Sequence, residues 1–102
     1  MNKTENLYSA LRGLEKNMQK LTSEDLVLDY RIQNVFIEWM NAERFGRKID
    51  PDTKHLQCKL IESWNNRIAE NERRLRFQKS LHSRLMEIYN DLLRVEFAKF
   101  LN

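Results

Sequence analysis

His55, Cys58 and Glu62 fall at i, i+3 and i+7, on one face of any helix that holds them. Imidazole nitrogen and thiolate sulfur are ligands that zinc favours. Glu62 stands two full turns from His55, however, and no fourth ligand lies nearby. The trio reads as a surface histidine, a half-buried small hydrophobe and a solvated carboxylate. Nucleophilic catalysis needs a thiol or hydroxyl beside an activating base, and Cys58 with His55 is the one sequence-local pair. A mid-helix cysteine lacks the helix N-terminus that activates many reactive thiols, so this pair reads as structural. Glu87 with Asp91, and Asp25 with Asp29, place carboxylates one turn apart. Arg84 and Arg94 lie within a turn of the first pair, the pattern of a solvated, salt-bridged face. No activated nucleophile, acid–base pair or cofactor loop can be assembled. The expectation is a protein that is not an enzyme, holds no cofactor or metal and takes no evident small-molecule substrate.

A basic cluster carries more information. Arg67, Arg73, Arg74, Arg76, Lys79 and Arg84 occur within eighteen residues, with His82 among them and only Glu70 and Glu72 opposing them. The stretch is therefore about +4, more than the +3 of the whole chain. Arginine dominates, which suits bidentate contact with phosphate or carboxylate. A charged face of this kind can follow a nucleic-acid backbone or meet an acidic partner. It can equally be the solvated middle of a long helix. There is no helix-turn-helix signature and no zinc finger, so any nucleic-acid contact would run through phosphates.

The apolar pattern points to a partner more directly. Leu81, Leu85, Ile88, Leu92 and Val95 repeat at spacings of 4, 3, 4 and 3. Burying five such side chains contributes on the order of 10 kcal/mol before entropy. A stripe of that size is not normally left bare on a monomer. Phe77 falls off this seam and is expected to be exposed. Phe97, Phe100 and Leu101 crowd the C-terminal end, either packed on a neighbour or forming a docking tip.

The elements that position these residues follow from period and punctuation. Leu7, Leu11, Leu14, Met18 and Leu21 form a heptad seam, predicting a helix over about 4–21. Gly13 within it either admits a close helix or is tolerated. Thr22-Ser23-Glu24-Asp25 reads as a break and restart, with Thr22 or Ser23 as a cap and two acids in the next first turn. A second helix over about 24–45 carries Leu28, Ile32, Val35, Trp39 and Ala42 on one stripe, widened by Phe36, Met40 and Tyr30. Gly46 ends it. Asp50 is a predicted N-cap and Pro51 a first helical residue. The third helix then runs over about 51–100 with no Gly or Pro beyond Pro51. Its stripe begins Leu56, Leu60, Trp64, Ile68 and resumes at Leu75. The polar stretch at 66–71, with Asn66 and Asn71 as conceivable caps, is either its exposed middle or a disguised turn. Pairing about the Gly46–Pro51 loop sets Trp39 near Leu60 and Glu24 near Leu75. Helix one, folding back over the same stretch, would then leave the stripe from Leu81 to Val95 uncovered.

Composition agrees. Among 102 residues there are two glycines and one proline, where average usage gives about seven and five. That excludes most β and α/β folds and any glycine-rich phosphate loop. The reading is one all-α domain over residues 1–102, an antiparallel bundle of three helices with a very long last one, or four if it breaks near 66–71. One cysteine cannot make an internal disulfide, which suits a reducing cytoplasm. No apolar run approaches a signal core or a membrane span. The expected function is to bind another macromolecule through the apolar stripe as a regulatory or adaptor protein. A protein partner is expected, self included: the stripe of Leu81, Leu85, Ile88, Leu92 and Val95 is expected to assemble the chain as a homodimer. The alternative is a small nucleic-acid-associated protein using the arginine cluster.

Overall fold

The computed structural model describes residues 2–101. Two helices account for nearly all of them: α1, Lys3–Arg44, and α2, Pro51–Leu101. The expected three or four helices are therefore two. Thr22–Asp25 is not a break, because it contains neither Gly nor Pro, and ordinary residues cost a helix at most about 0.7 kcal/mol each. The heptad also passes through it in phase, from Leu21 to Asp25 to Leu28. Caps are favourable where a helix ends; by themselves they do not end one. The polar stretch near Asn66 is likewise helical throughout, so α2 is one helix of 51 residues.

Asn2 opens α1, its side-chain oxygen accepting from the Glu5 N–H at 2.8 Å. The joint between the helices follows the expected chemistry. The Arg47 N–H reaches the Ala42 carbonyl at 2.7 Å and the Gly46 N–H reaches Glu43 at 3.2 Å. These are the paired bonds of a Schellman turn, which needs a left-handed residue at its hinge; Gly46 supplies φ 67°. Asp50 Oδ2 accepts from the Thr53 N–H at 3.2 Å and caps α2, with Pro51 at the first position, where an N–H is not required.

The chain divides into two compact units. Unit 2, Thr22–Glu72, holds the joint, and its two helical segments pack antiparallel. The Trp39 indole N–H donates to Gln57 Oε1 at 2.6 Å, Lys54 Nζ stands 5.4 Å above the Trp39 ring, and Phe36 meets Trp39 edge-on at 5.5 Å. Trp39 thus faces Gln57 rather than Leu60, and Glu24 faces Asn71 rather than Leu75. The register is about one turn tighter than expected because the Schellman turn and the Asp50 cap leave little slack between the helices.

Unit 1 joins the residues up to Leu21 with those from Arg73 onward. Its segments are also antiparallel: Thr4 Oγ1 donates to Glu96 Oε1 at 2.6 Å, the Tyr8 and Tyr89 rings lie 6.3 Å apart, and His82 Nε2 meets Glu15 Oε1 at 3.2 Å. Since α1 does not turn back at Thr22, its first half lies along the C-terminal half of α2. That half is therefore not bare, as the three-helix reading required.

Leu11 and Leu21 in unit 1 and Leu28 in unit 2 are the buried apolar side chains among the described residues. The inward positions of α2 are Gln57, Ile61, Trp64, Ile68 and Asn71 in unit 2, and Leu75, Gln78, His82, Leu85, Tyr89, Leu92 and Glu96 in unit 1. Their spacing is a strict 4-3 alternation, but several are polar. Leu56 and Leu60, expected inside, are exposed. Gly13 faces away from α2 and admits no close helix: a Cβ there would touch nothing within 4 Å.

Candidate interaction surfaces

In unit 2 the heptad of α1 puts Asp25 where an apolar residue would sit, and α2 answers it with Asn71, which is completely buried. Asn71 Nδ2 donates to Asp25 Oδ1 at 2.9 Å and to Glu24 Oε1 at 3.2 Å. Arg67 Nε donates to the same Glu24 oxygen at 2.6 Å. That hydrogen bond, and then the charge behind it, raise the Arg67 guanidinium above its already alkaline ordinary value, so Arg67 keeps its charge throughout the neutral range. Asn71 Oδ1 is buried without a partner. A buried asparagine in a helical seam costs stability and selects register. This layer is a structural device rather than a ligand site.

The basic cluster does not present one face. Arg67 belongs to unit 2 and is tied to Glu24; Arg73, Arg74, Arg76, Lys79 and Arg84 are exposed on unit 1. At 3.6 residues per turn, Arg74 and Lys79 flank opposite sides of the α2 seam, while Arg73, Arg76 and Arg84 spread over the arc between them. Of the other candidates, Cys58 is exposed, as are His55 and Glu62. No group of three or more His, Cys, Asp or Glu residues that could hold a metal occurs among the described residues. Asp91 lies 3.7 Å from Arg94, in keeping with a solvated face. No described helix is long and apolar enough to cross a membrane.

The apolar stripe is divided. Leu85 and Leu92 turn inward and are half-buried against α1. Leu81, Ile88 and Val95 stay outside, at 37%, 50% and 54% exposure. They lie seven residues apart, so they form one ridge along the side of α2 in unit 1. Phe77, 71% exposed, extends it by one turn. Phe97, Phe100 and Leu101 are exposed at the end of the same helix.

A second ridge went unrecognised in the sequence. Leu26, Tyr30, Ile37 and Met40 are exposed in unit 2, on the side of α1 opposite Leu28, Ile32, Val35 and Trp39. Tyr30 and Met40 read as a widening of the inner stripe, yet with Leu26 and Ile37 they have a 4-3 period of their own, interrupted only by Gln33.

No protein-family model matches this chain, nor does any curated protein or solved structure.

Proposed function

We propose that this protein is a non-enzymatic interaction module, a regulatory or adaptor protein that binds another macromolecule through the outer ridge of α2. The observation that supports this is the alternation of Leu81, Ile88 and Val95 with Leu85 and Leu92. The latter two serve the fold, whereas the former three keep apolar area in water at the spacing that receives a helix. The ridge needs no cofactor and no moving part. Phe77, with exposed Arg73 and Arg84 one and two turns away on the same side of α2, supplies an aromatic anchor with charge at its rim, the composition that interface centres favour.

Capture from the native host, with and without nuclease, tests the reading against an Ile88→Glu/Val95→Glu variant. The expected result is a partner retained after nuclease and lost with the variant, whose helicity by circular dichroism stays at the wild-type level. A partner that survives both substitutions removes the ridge from the function. One released by nuclease reassigns the chain to nucleic acid.

A further inference from the structure

We infer that the groove beside the helix joint in unit 2 is a binding site for a free nucleotide, a flat aromatic base carrying a terminal polyphosphate. This groove is separate from the outer ridge of α2, and the inference does not rest on that ridge being the partner site.

The groove has a volume of about 770 Å³, within the range of about 300–1,000 Å³ that small-molecule sites occupy. Its walls come from three places in the chain. Phe36, Trp39 and Met40 belong to α1, Arg47 and Lys48 to the joint, and Lys54 to the first turn of α2. Scattered over nineteen residues of sequence, they form no motif; only the turn between the helices brings them together. That turn is held to one path, by the Schellman bonds at Gly46 and by the Asp50 cap. The aromatic wall is held as well. Gln57 accepts from the Trp39 indole at 2.6 Å and donates through Nε2 to Glu38 at 3.2 Å. Lys54 Nζ stands 5.4 Å above the ring of that same tryptophan. A wall fixed by the fold lowers the ordering cost that a ligand must meet.

Charge selects the occupant. Three cations line the groove against one acid, Glu43. Among the described residues, Arg47, Lys48 and Lys54 have no carboxylate partner, although the chain holds fifteen acids. Arginine meets phosphate oxygens with a planar fork and lysine with a point charge. Three such groups at one place match the several charges of a terminal di- or triphosphate. A nucleic-acid strand brings one charge per nucleotide, which is a poorer match at a single point. The wall selects the rest of the molecule. Phe36 is 45% and Met40 65% exposed beside the half-buried Trp39, and aromatic side chains receive any base because every base has a π-face.

Isothermal titration of the full chain with ATP, inorganic tripolyphosphate and adenosine tests the inference. ATP is expected to bind more tightly than either of its parts. Lys48→Gln/Lys54→Gln should weaken ATP at least about tenfold, since each hydrogen bond to a charged group is worth about that much. Lys16→Gln/Lys20→Gln removes the same charge from exposed positions in unit 1 and should leave binding unchanged. Phe36→Ala should weaken ATP but not tripolyphosphate, a split that loss of charge or general damage to the fold would not give. In a Trp64→Phe variant, Trp39 is the remaining indole, and ATP should change its emission. No heat with ATP overturns the inference. Equal affinity for ATP and tripolyphosphate overturns the nucleotide and leaves a site for polyanions alone. ATP binding that survives the Lys48 and Lys54 changes places the ligand elsewhere and overturns it too.

Discussion

Asn71 shows how one side chain can set the pairing of two helices at a cost. Its amide N–H groups serve Asp25 and Glu24, but its own oxygen goes unmatched, and an orphaned buried acceptor costs about 1–3 kcal/mol. Asn71→Ala should destabilise by about 1–3 kcal/mol, because the half-buried Asp25 carboxylate loses this donor, Glu24 loses one of its donors and a small void opens. Asn71→Leu with Asp25→Leu should do the reverse, raising the melting temperature by replacing a polar layer with an apolar one. The same double variant should pair less strictly, since a continuous apolar seam fits itself at more than one offset. Thermal melts by circular dichroism, together with disulfide trapping of cysteine pairs placed one turn out of register, check both halves. Equal melting temperatures for wild type and Asn71→Ala would mean that the layer contributes nothing.

At the scale of elements, most of the architecture was legible where local chemistry is unambiguous. Gly46, Asp50 and Pro51 act as their types dictate, because positive φ, a capping carboxylate and a missing N–H leave few alternatives. The inner stripe of α1 was legible because its residues are nearly all apolar. The break at Thr22–Asp25 was misread because a capping signature says that a helix can begin there, whereas only a breaker or a loss of heptad phase says that one ends. The phase of α2 was obscured for a related reason: its true seam includes Gln57, Asn71, Gln78, His82 and Glu96, while Leu56, Leu60, Leu81 and Ile88 sit beside it. A reader who follows hydrophobicity lands a residue or more away from the pairing face and assigns half of an outer ridge to the core. Two sets of substitutions check the helices directly. Ser23→Ala should stabilise by about 0.5 kcal/mol at a helix interior, whereas loss of an N-cap would destabilise by about 1 kcal/mol. The sign of the change in melting temperature therefore distinguishes one helix from two. At the joint, Gly46→Val should cost more than about 1 kcal/mol from forcing a β-branched residue to positive φ, and Asp50→Ala about 1 kcal/mol from the lost cap.

For the whole molecule, the balance between apolar ridges and charge decides what kind of partner is recruited. The net charge of +3 comes from eighteen cations and fifteen acids, and Arg67 is already committed to Glu24. The remaining cluster is spread around α2 rather than aligned along it, which gives a phosphate backbone no continuous track. Duplex and single-stranded probes should therefore show no shift with the wild-type protein in low salt. Arg73→Gln, Arg74→Gln and Arg76→Gln combined should leave helicity and ridge-dependent partner capture intact, since glutamine is nearly as good a helix former as arginine. Phosphate binding would look different. Affinity would fall with salt at a slope near −0.9 per phosphate contacted, and the triple substitution would flatten that slope by roughly three units while weakening all sequences alike. That outcome would move the function from Leu81, Ile88 and Val95 of α2 to its arginines.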